Sequence, residues 1–473
     1  MVYLLEGGRS VDLNPPLYFI FAWLAERLGD SSELLRLPSL VAGTAAIPLT
    51  YLLGARTVGR PAAIVGTGLI ALSPFAIFFS AEARSFALVM TLALLSTLAL
   101  LRAIETRSLE WWAAYAAFSS ATIYTNYTAV FLLGGQFLWA IVTQPTLRRS
   151  LLVANVAAAV VYAPWLPSLI EDSASPGIKV PEQISPFGLG SLRIDLGRWS
   201  IGHPFAGLKT VPGDAAVILI VAGVSIAVIG VGWRMLAAAR VGRRLRPSRG
   251  LALVLVLALS TPVGAALYSW LGPHSVWESR QLLVSTPGLV LAGGALLTSS
   301  GGRVRYLASG MVVAAFAIAS AKVLEADVQR PDSAAAAEFI ERARAPGEPV
   351  LDFPLVTPGP LTALEIALTS EGMPPSRQYP ILRLGLPSRH AMLHGAPYAQ
   401  LTTPALESVV RRADGMARGR NLFLVIGEAG PGTSRFVTDL VRRPGIHPTL
   451  VTRRIFPGFV PLSVYEYALP APS

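Results

Sequence analysis

The sequence has no cysteine, so a disulfide framework, a thiol nucleophile and a cysteine metal site are all excluded. It is also poor in charge. Only 14% of its 473 residues are Asp, Glu, Lys or Arg, against roughly 25% in a soluble domain. Mean hydropathy is +0.54 and 53% of the residues are hydrophobic. The 42 glycines and 37 prolines fall between apolar blocks and do not form a low-complexity tract. A soluble enzyme, a disordered tail and a fibrous repeat are excluded for most of the chain. What remains is a mainly α, polytopic transmembrane helix bundle.

A span needs about 20 apolar residues. Ten segments qualify, at 35–55, 61–80, 84–103, 111–125, 127–143, 150–168, 214–234, 250–271, 281–299 and 305–323. The fourth and fifth are short and meet at Tyr124-Thr125-Asn126-Tyr127-Thr128, which predicts a tight turn. Alternate loops carry Arg56, Arg60, Arg102, Arg107, Arg148, Arg149, Arg234, Arg240, Arg243, Arg244, Arg246, Arg249, Arg303 and Arg305, against only Glu105 and Glu110. The positive-inside rule puts these loops in the cytoplasm. The net charge of +11 is thus mainly an orientation signal, and a nucleic-acid partner is not expected.

The remaining loops face outward: residues 1–34, 80–84, 124–128, 169–213 and 272–280. From about 326 the apolar runs shorten and charge returns. Helices are expected at 334–344 and 433–443, and strands at 349–353, 421–427, 450–455 and 462–469. The pattern predicts a small extracytoplasmic α/β domain over 326–473, behind a membrane domain over 1–325. The Pro- and Gly-rich stretch 354–404 has no legible organisation. Residues 15–25 are apolar but too short to cross, and predict a helix in the outer interface with Tyr18 and Trp23 at headgroup level. Because both ends come out on the outer face, a further span preceding Met1 is expected.

Polar residues at span ends that orientation does not explain are the candidates for chemistry. Ser80-Ala81-Glu82-Ala83-Arg84 sets a carboxylate two residues from a guanidinium, a spacing that does not pair on a continuous helix. It suits a carboxylate for a metal or a sugar hydroxyl beside an arginine for phosphate; a plain interfacial hairpin is the simpler alternative. Asp12-Leu13-Asn14-Pro15-Pro16 precedes the interfacial helix, where Asp12 or Asn14 could serve only as a cap. Arg280, in Trp277-Glu278-Ser279-Arg280-Gln281, is a second phosphate contact or a snorkelling cation. Tyr124 and Asn126 belong to the outer turn or to an aromatic belt. His390 and His394 lack an acidic partner in register for zinc, and Gly427–Gly432 lacks the ending of a P-loop.

These stretches, in this order, resemble the GT-C class of membrane glycosyltransferases, near the bacterial protein O-mannosyltransferases and lipid A aminoarabinose transferases. Asn14-Pro15-Pro16-Leu17-Tyr18 with Arg36-Leu37-Pro38-Ser39 is similar to that class's juxtamembrane helix and following span. Ser73-Pro74-Phe75 through Ser80-Ala81-Glu82-Ala83-Arg84-Ser85-Phe86-Ala87-Leu88 resembles its acidic hairpin, and Tyr124-Thr125-Asn126-Tyr127 sits at its Thr-His-Tyr. The resemblance implies a polyprenyl-phosphate sugar as donor, a lipid, glycan or protein as acceptor, and catalysis at the outer face amid membrane lipids. Glu82 would act as the catalytic carboxylate, with Asp12 the nearest substitute for the family's main acid. Arg84, Asn14, Arg280, Tyr124 and Asn126 would contact substrate, and Glu82 would hold a divalent cation if the enzyme is metal-dependent. The family's Asp-Glu motif upstream of Pro-Pro-Leu-Tyr has no counterpart here. That departure implies either a chain lacking its first span and base, the reading the topology favours, or a catalytically weak member. The rivals are a flippase for lipid-linked sugars, which would put polar residues at mid-membrane on broken helices, and a non-catalytic scaffold.

Overall fold

A computed structural model describes residues 14–29, 32–174, 186–241, 248–343, 348–353, 364, 367–368, 381–383, 411, 420–427 and 448–469. It divides into two compact units, Met1–Val323 and Leu324–Ser473.

In the first unit, apolar runs become helices because no water is available to the backbone inside a bilayer. The ten expected segments resolve differently from one another. Among the described residues, seven helices are long and apolar enough to cross: Glu33–Thr57, Phe86–Thr106, Pro145–Ala174, Lys209–Arg240, Arg249–Leu271, Ser279–Ser299 and Val304–Lys322. The segment expected at 61–80 is a broken pair, α3 (Arg60–Ala71) and α4 (Pro74–Ser80), bent by 58°. The break has a local cause. Ser73 leaves the helical region and its hydroxyl caps the Ala76 amide at 3.2 Å, while Pro74 takes the first helical position. The segments at 111–125 and 127–143 become two 15-residue helices, α6 (Leu109–Ile123) and α7 (Ala129–Thr143). Each is only about 22 Å long, in keeping with the short fourth and fifth segments expected.

Helix α5 (Phe86–Thr106) is the axis of the unit. It packs against α2 (Ser32–Thr57), α6 and the Ser279–Ser285 segment, and it is the most buried of the long helices. A polar network ties it to its neighbours. Gln136 of α7 donates to Thr97 Oγ1 at 2.7 Å and accepts from Ser96 at 3.2 Å, and Ser96 lies 3.0 Å from Ser119 of α6. Such bonds hold helices together where lipid gives no hydrophobic drive. Small residues allow close approach. A Cβ on Gly43 of α2 would lie 2.1 Å from Ser80 Oγ, so glycine at 43 lets the end of α4 rest on α2.

Helix α1 (Leu17–Glu26) lies against α2. Tyr18, expected at headgroup level, is instead turned inward and only 2% exposed. It has a partner there, and a buried phenol needs one. Trp23 is half-buried under the Arg27 guanidinium, 4.0 Å from its ring.

The second unit holds a five-stranded sheet in the order β2-β1-β3-β5-β4: β1 (Val350–Phe353), β2 (Ile381–Arg383), β3 (Asn421–Gly427), β4 (Thr449–Phe456) and β5 (Leu462–Ala468). The β2-β1-β3 pairings are parallel, and β5 and β4 add antiparallel. Ala336, Ala337 and Ile340 of helix Ser333–Ala343 share a core with Val350, Phe423, Val425 and Val464. Strand β2 falls within the stretch that the sequence left unorganised. The helix expected at 433–443, His390 and His394 lie outside the described residues.

Candidate functional site

The Glu82 hairpin joins α4 to α5. Its Arg84 amide donates to the Glu82 carbonyl at 2.8 Å, which closes a three-residue turn. Glu82 is 9% exposed and Arg84 half-buried. The turn is held from outside by a chain of hydroxyls. Ser39 of α2 donates to the Arg84 carbonyl at 2.9 Å, and Tyr18 OH lies 2.9 Å from Ser39 Oγ. Since the Ser39 proton is committed to Arg84, the Tyr18 phenol is the donor to Ser39. Burial holds that phenol above its ordinary pKa; the Ser39 bond opposes the rise, the Glu82 charge adds to it and the Arg84 charge counters it. Tyr18, Ser39, Glu82 and Arg84 therefore form one electrostatic neighbourhood.

The opposite side is the turn between α6 and α7. The Leu17 amide donates to the Tyr124 carbonyl at 3.1 Å, so the start of α1 docks on this turn. Asn14 lies three residues earlier and is half-buried. Asn126 Oδ1 accepts the Thr128 amide at 2.9 Å and lies 2.7 Å from Thr128 Oγ1, which holds its own turn in shape. Thr128 Oγ1 is also 2.8 Å from Gln281 Oε1, and its single proton serves one of these two oxygens. Tyr124 OH donates to the Val161 carbonyl at 2.9 Å. Tyr127 OH donates to Asp172 at 2.6 Å and accepts from the Trp165 indole at 3.0 Å, and burial with that carboxylate raises its pKa.

Arg280 comes to the same level from the far end of the sequence. Its guanidinium lies 5.6 Å from the Phe86 ring centroid, one turn from the hairpin. It is paired bidentately with Glu278, with Nη2 2.7 Å from Oε1 and Nε on Oε2. Behind it stands a residue that sequence reasoning missed. Asp195, in α10 (Leu189–Ile201), is 7% exposed and accepts the Trp277 indole N–H at 2.9 Å. Desolvation raises its pKa, while the Trp277 bond and Arg198, 3.9 Å away, oppose the rise. His203 was missed too. It is fully buried, edge-on to Phe78 of α4 at 4.7 Å, and burial beside Arg198 lowers its pKa to about 4. No motif or periodicity marks either residue; only the packing of the outer loop singles them out.

The chain thus brings Glu82, Arg84 and Arg280 around the start of α5, with α1 and the Tyr124 turn alongside. Asp12 lies outside the described residues. A cavity of about 590 Å³ opens between α1, α6 and α8 (Arg148–Tyr162). It is lined by Leu17, Ile20, Ala116, Ser120, Tyr124 and Val161 among others, and none of Glu82, Arg84, Asn14 or Arg280 lines it. Among the described residues no three His, Asp or Glu side chains are grouped to hold a metal ion, so Glu82 belongs to no such group.

Residues 13–169 match the family model of the dolichyl-phosphate-mannose-protein mannosyltransferases. The backbone is similar to the crystal structure of ArnT from Cupriavidus metallidurans bound to undecaprenyl phosphate, with a TM-score of 0.54 at 13% identity over 98% of this chain and 91% of that one. The chain has an ArnT-like GT-C fold. ArnT from the same organism in the apo state aligns with a TM-score of 0.45 and 15% identity, over 98% of this chain and 91% of that one. No curated protein matches the sequence. The family match takes in Tyr18, Ser39, the Glu82 hairpin and the Tyr124 turn, and ends short of Asp172. Asp195, His203, Glu278 and Arg280 fall beyond it.

Proposed function

We propose that this chain is a membrane glycosyltransferase that moves a sugar from a polyprenyl-phosphate donor to a lipid, glycan or protein acceptor at the outer face. The observation that carries the reading is a buried carboxylate and an arginine, Glu82 and Arg84, at one end of α5 inside the stretch that matches a mannosyltransferase family, with Arg280 brought beside them from beyond that stretch. ArnT was solved with undecaprenyl phosphate bound, which supports a donor of that chemical class.

The acceptor hydroxyl attacks the anomeric carbon, the bond to the lipid phosphate breaks, and the phosphate leaves with its electron pair. Glu82 takes the proton of the acceptor hydroxyl. Arg84 and Arg280 offset charge developing on the leaving phosphate. Asn14, at the foot of α1, and the Tyr124–Asn126 turn border the site, and Asp12 is a second candidate acid on sequence grounds. We assign no metal step. The arginine-rich alternate loops support an outward-facing hairpin, and the second unit would lie outside as well. Transfer from a polyprenyl-phosphate sugar, measured in membranes holding the chain, tests the reading. Undiminished transfer in Glu82→Gln and Arg84→Ala would overturn the assigned roles.

The alternative is a flippase. A transporter would put polar residues at mid-membrane on broken helices. The buried polar network of Ser96, Thr97, Ser119 and Gln136 sits instead on the continuous helices α5, α6 and α7, which favours chemistry at the surface.

A further inference from the structure

Helix α10 makes two buried indole bonds from one face. Asp195 receives the Trp277 N–H at 2.9 Å, and four residues later Trp199 gives its N–H to Thr286 Oγ1 at 2.9 Å. Residues four apart share a helix face. Trp277, Trp199 and Thr286 are 1%, 5% and 1% exposed. The Ser279–Ser285 segment, which begins next to Glu278 and carries Arg280, runs between these two anchor points. Just past the end of α10, His203 and Phe205 pack their rings on Phe78 of α4, at 4.7 and 5.3 Å. One short helix in the outer loop therefore grips both sides of the site, the arginine segment and the helix that leads to Glu82.

We propose that α10 is a brace that fixes Arg280 relative to the Glu82–Arg84 hairpin, and that Asp195 is the positioning residue that transmits this through Trp277 to Glu278 and Arg280. The inference rests on the reading of Arg280 as a phosphate contact. A buried indole left without its acceptor loses a bond that water cannot replace. The extended backbone at 277–278 would then loosen, and Arg280 would lose its fixed place over Phe86. Asparagine at 195 still offers an oxygen to the indole, so the acceptor matters here and the full charge does not.

The absence of cysteine allows a direct test. Ser279→Cys introduces one thiol beside Arg280, and its labelling rate by a membrane-impermeant maleimide reports how well the segment is held. In Asp195→Ala we expect labelling about fivefold faster and undecaprenyl phosphate binding about tenfold weaker. Asp195→Asn should stay within about twofold of the parent in both. Trp277→Phe, which removes only the donor, should move both readouts in the same direction as Asp195→Ala. Once Arg280→Ala is present, Asp195→Ala should weaken binding no further, because it acts through that arginine; a merely structural residue would add its own loss. Unchanged labelling in Asp195→Ala and Trp277→Phe, or additive binding losses, would overturn the brace. If labelling responds as stated while the parent chain does not bind undecaprenyl phosphate, the brace stands and the glycosyltransferase reading falls.

Discussion

Two segments of this protein carry the same spacing, Glu82-Ala83-Arg84 and Glu278-Ser279-Arg280, and the fold uses them in opposite ways. At 278 the backbone is extended, with φ −148° and ψ 141°. Side chains two apart then lie on one side, and the carboxylate closes on the guanidinium through two bonds. At 82 the chain turns back through its own Arg84-to-Glu82 amide bond. The spacing is thus silent about geometry until the backbone is known. The comparison also separates settings: Arg280 is a cation gripped by the carboxylate two residues before it, whereas Glu82 is a carboxylate buried in a turn.

The sharpest break in that comparison is Glu82→Gln, which should reduce sugar transfer at least about 100-fold with the protein still present in membranes; initial rates from a polyprenyl-phosphate sugar check it. Acid should next loosen the bridge between the two segments. The folded pKa of His203, about 4, lies below its ordinary 6.5, so the fold favours the neutral ring. That contribution is complete above pH 6.5 and is lost as pH falls toward 4, up to about 3 kcal/mol. Thermal unfolding in detergent should show a fall over this window that is shallower in His203→Gln. Gly43→Ala would push a Cβ into Ser80 and move the end of α4, at a cost of about 2 kcal/mol; Ser80→Gly in the same chain should recover part of the lost unfolding midpoint. Smallest is Glu278→Gln. Loss of one half-exposed ion pair should weaken undecaprenyl phosphate binding about fivefold, near 1 kcal/mol, and an affinity unchanged or improved would show that Glu278 does not orient Arg280.

The helices were legible because a bilayer demands long apolar runs, but the break at Ser73-Pro74 inside the segment expected at 61–80 was not, since the apolar run continues through it. Glu82, Arg84 and Arg280 stood out because charge at the outer ends of spans runs against the orientation pattern. The shortness of α6 and α7 was legible too. What was not legible depends on distant partners or very short elements. Tyr18 looked like an interface anchor because aromatic residues are common there, and its inward turn follows from Ser39, 21 residues away. Asp195 and His203 have no local signature; their burial comes from Trp277 and Phe78, partners 82 and 125 residues distant in sequence. In the second unit β2 is three residues long, too short for alternation to reveal it.

The dock between α1 and the α6–α7 turn is a contact of main chain with main chain. Pro15 and Pro16 carry no amide proton, so Leu17 is the first residue of that run able to donate, and it spends that proton on the Tyr124 carbonyl. Such a tether is indifferent to which side chains occupy either position. Both residues could drift freely in identity and the surface helix would stay moored; a third consecutive proline, at 17, is the one replacement that would cast it off.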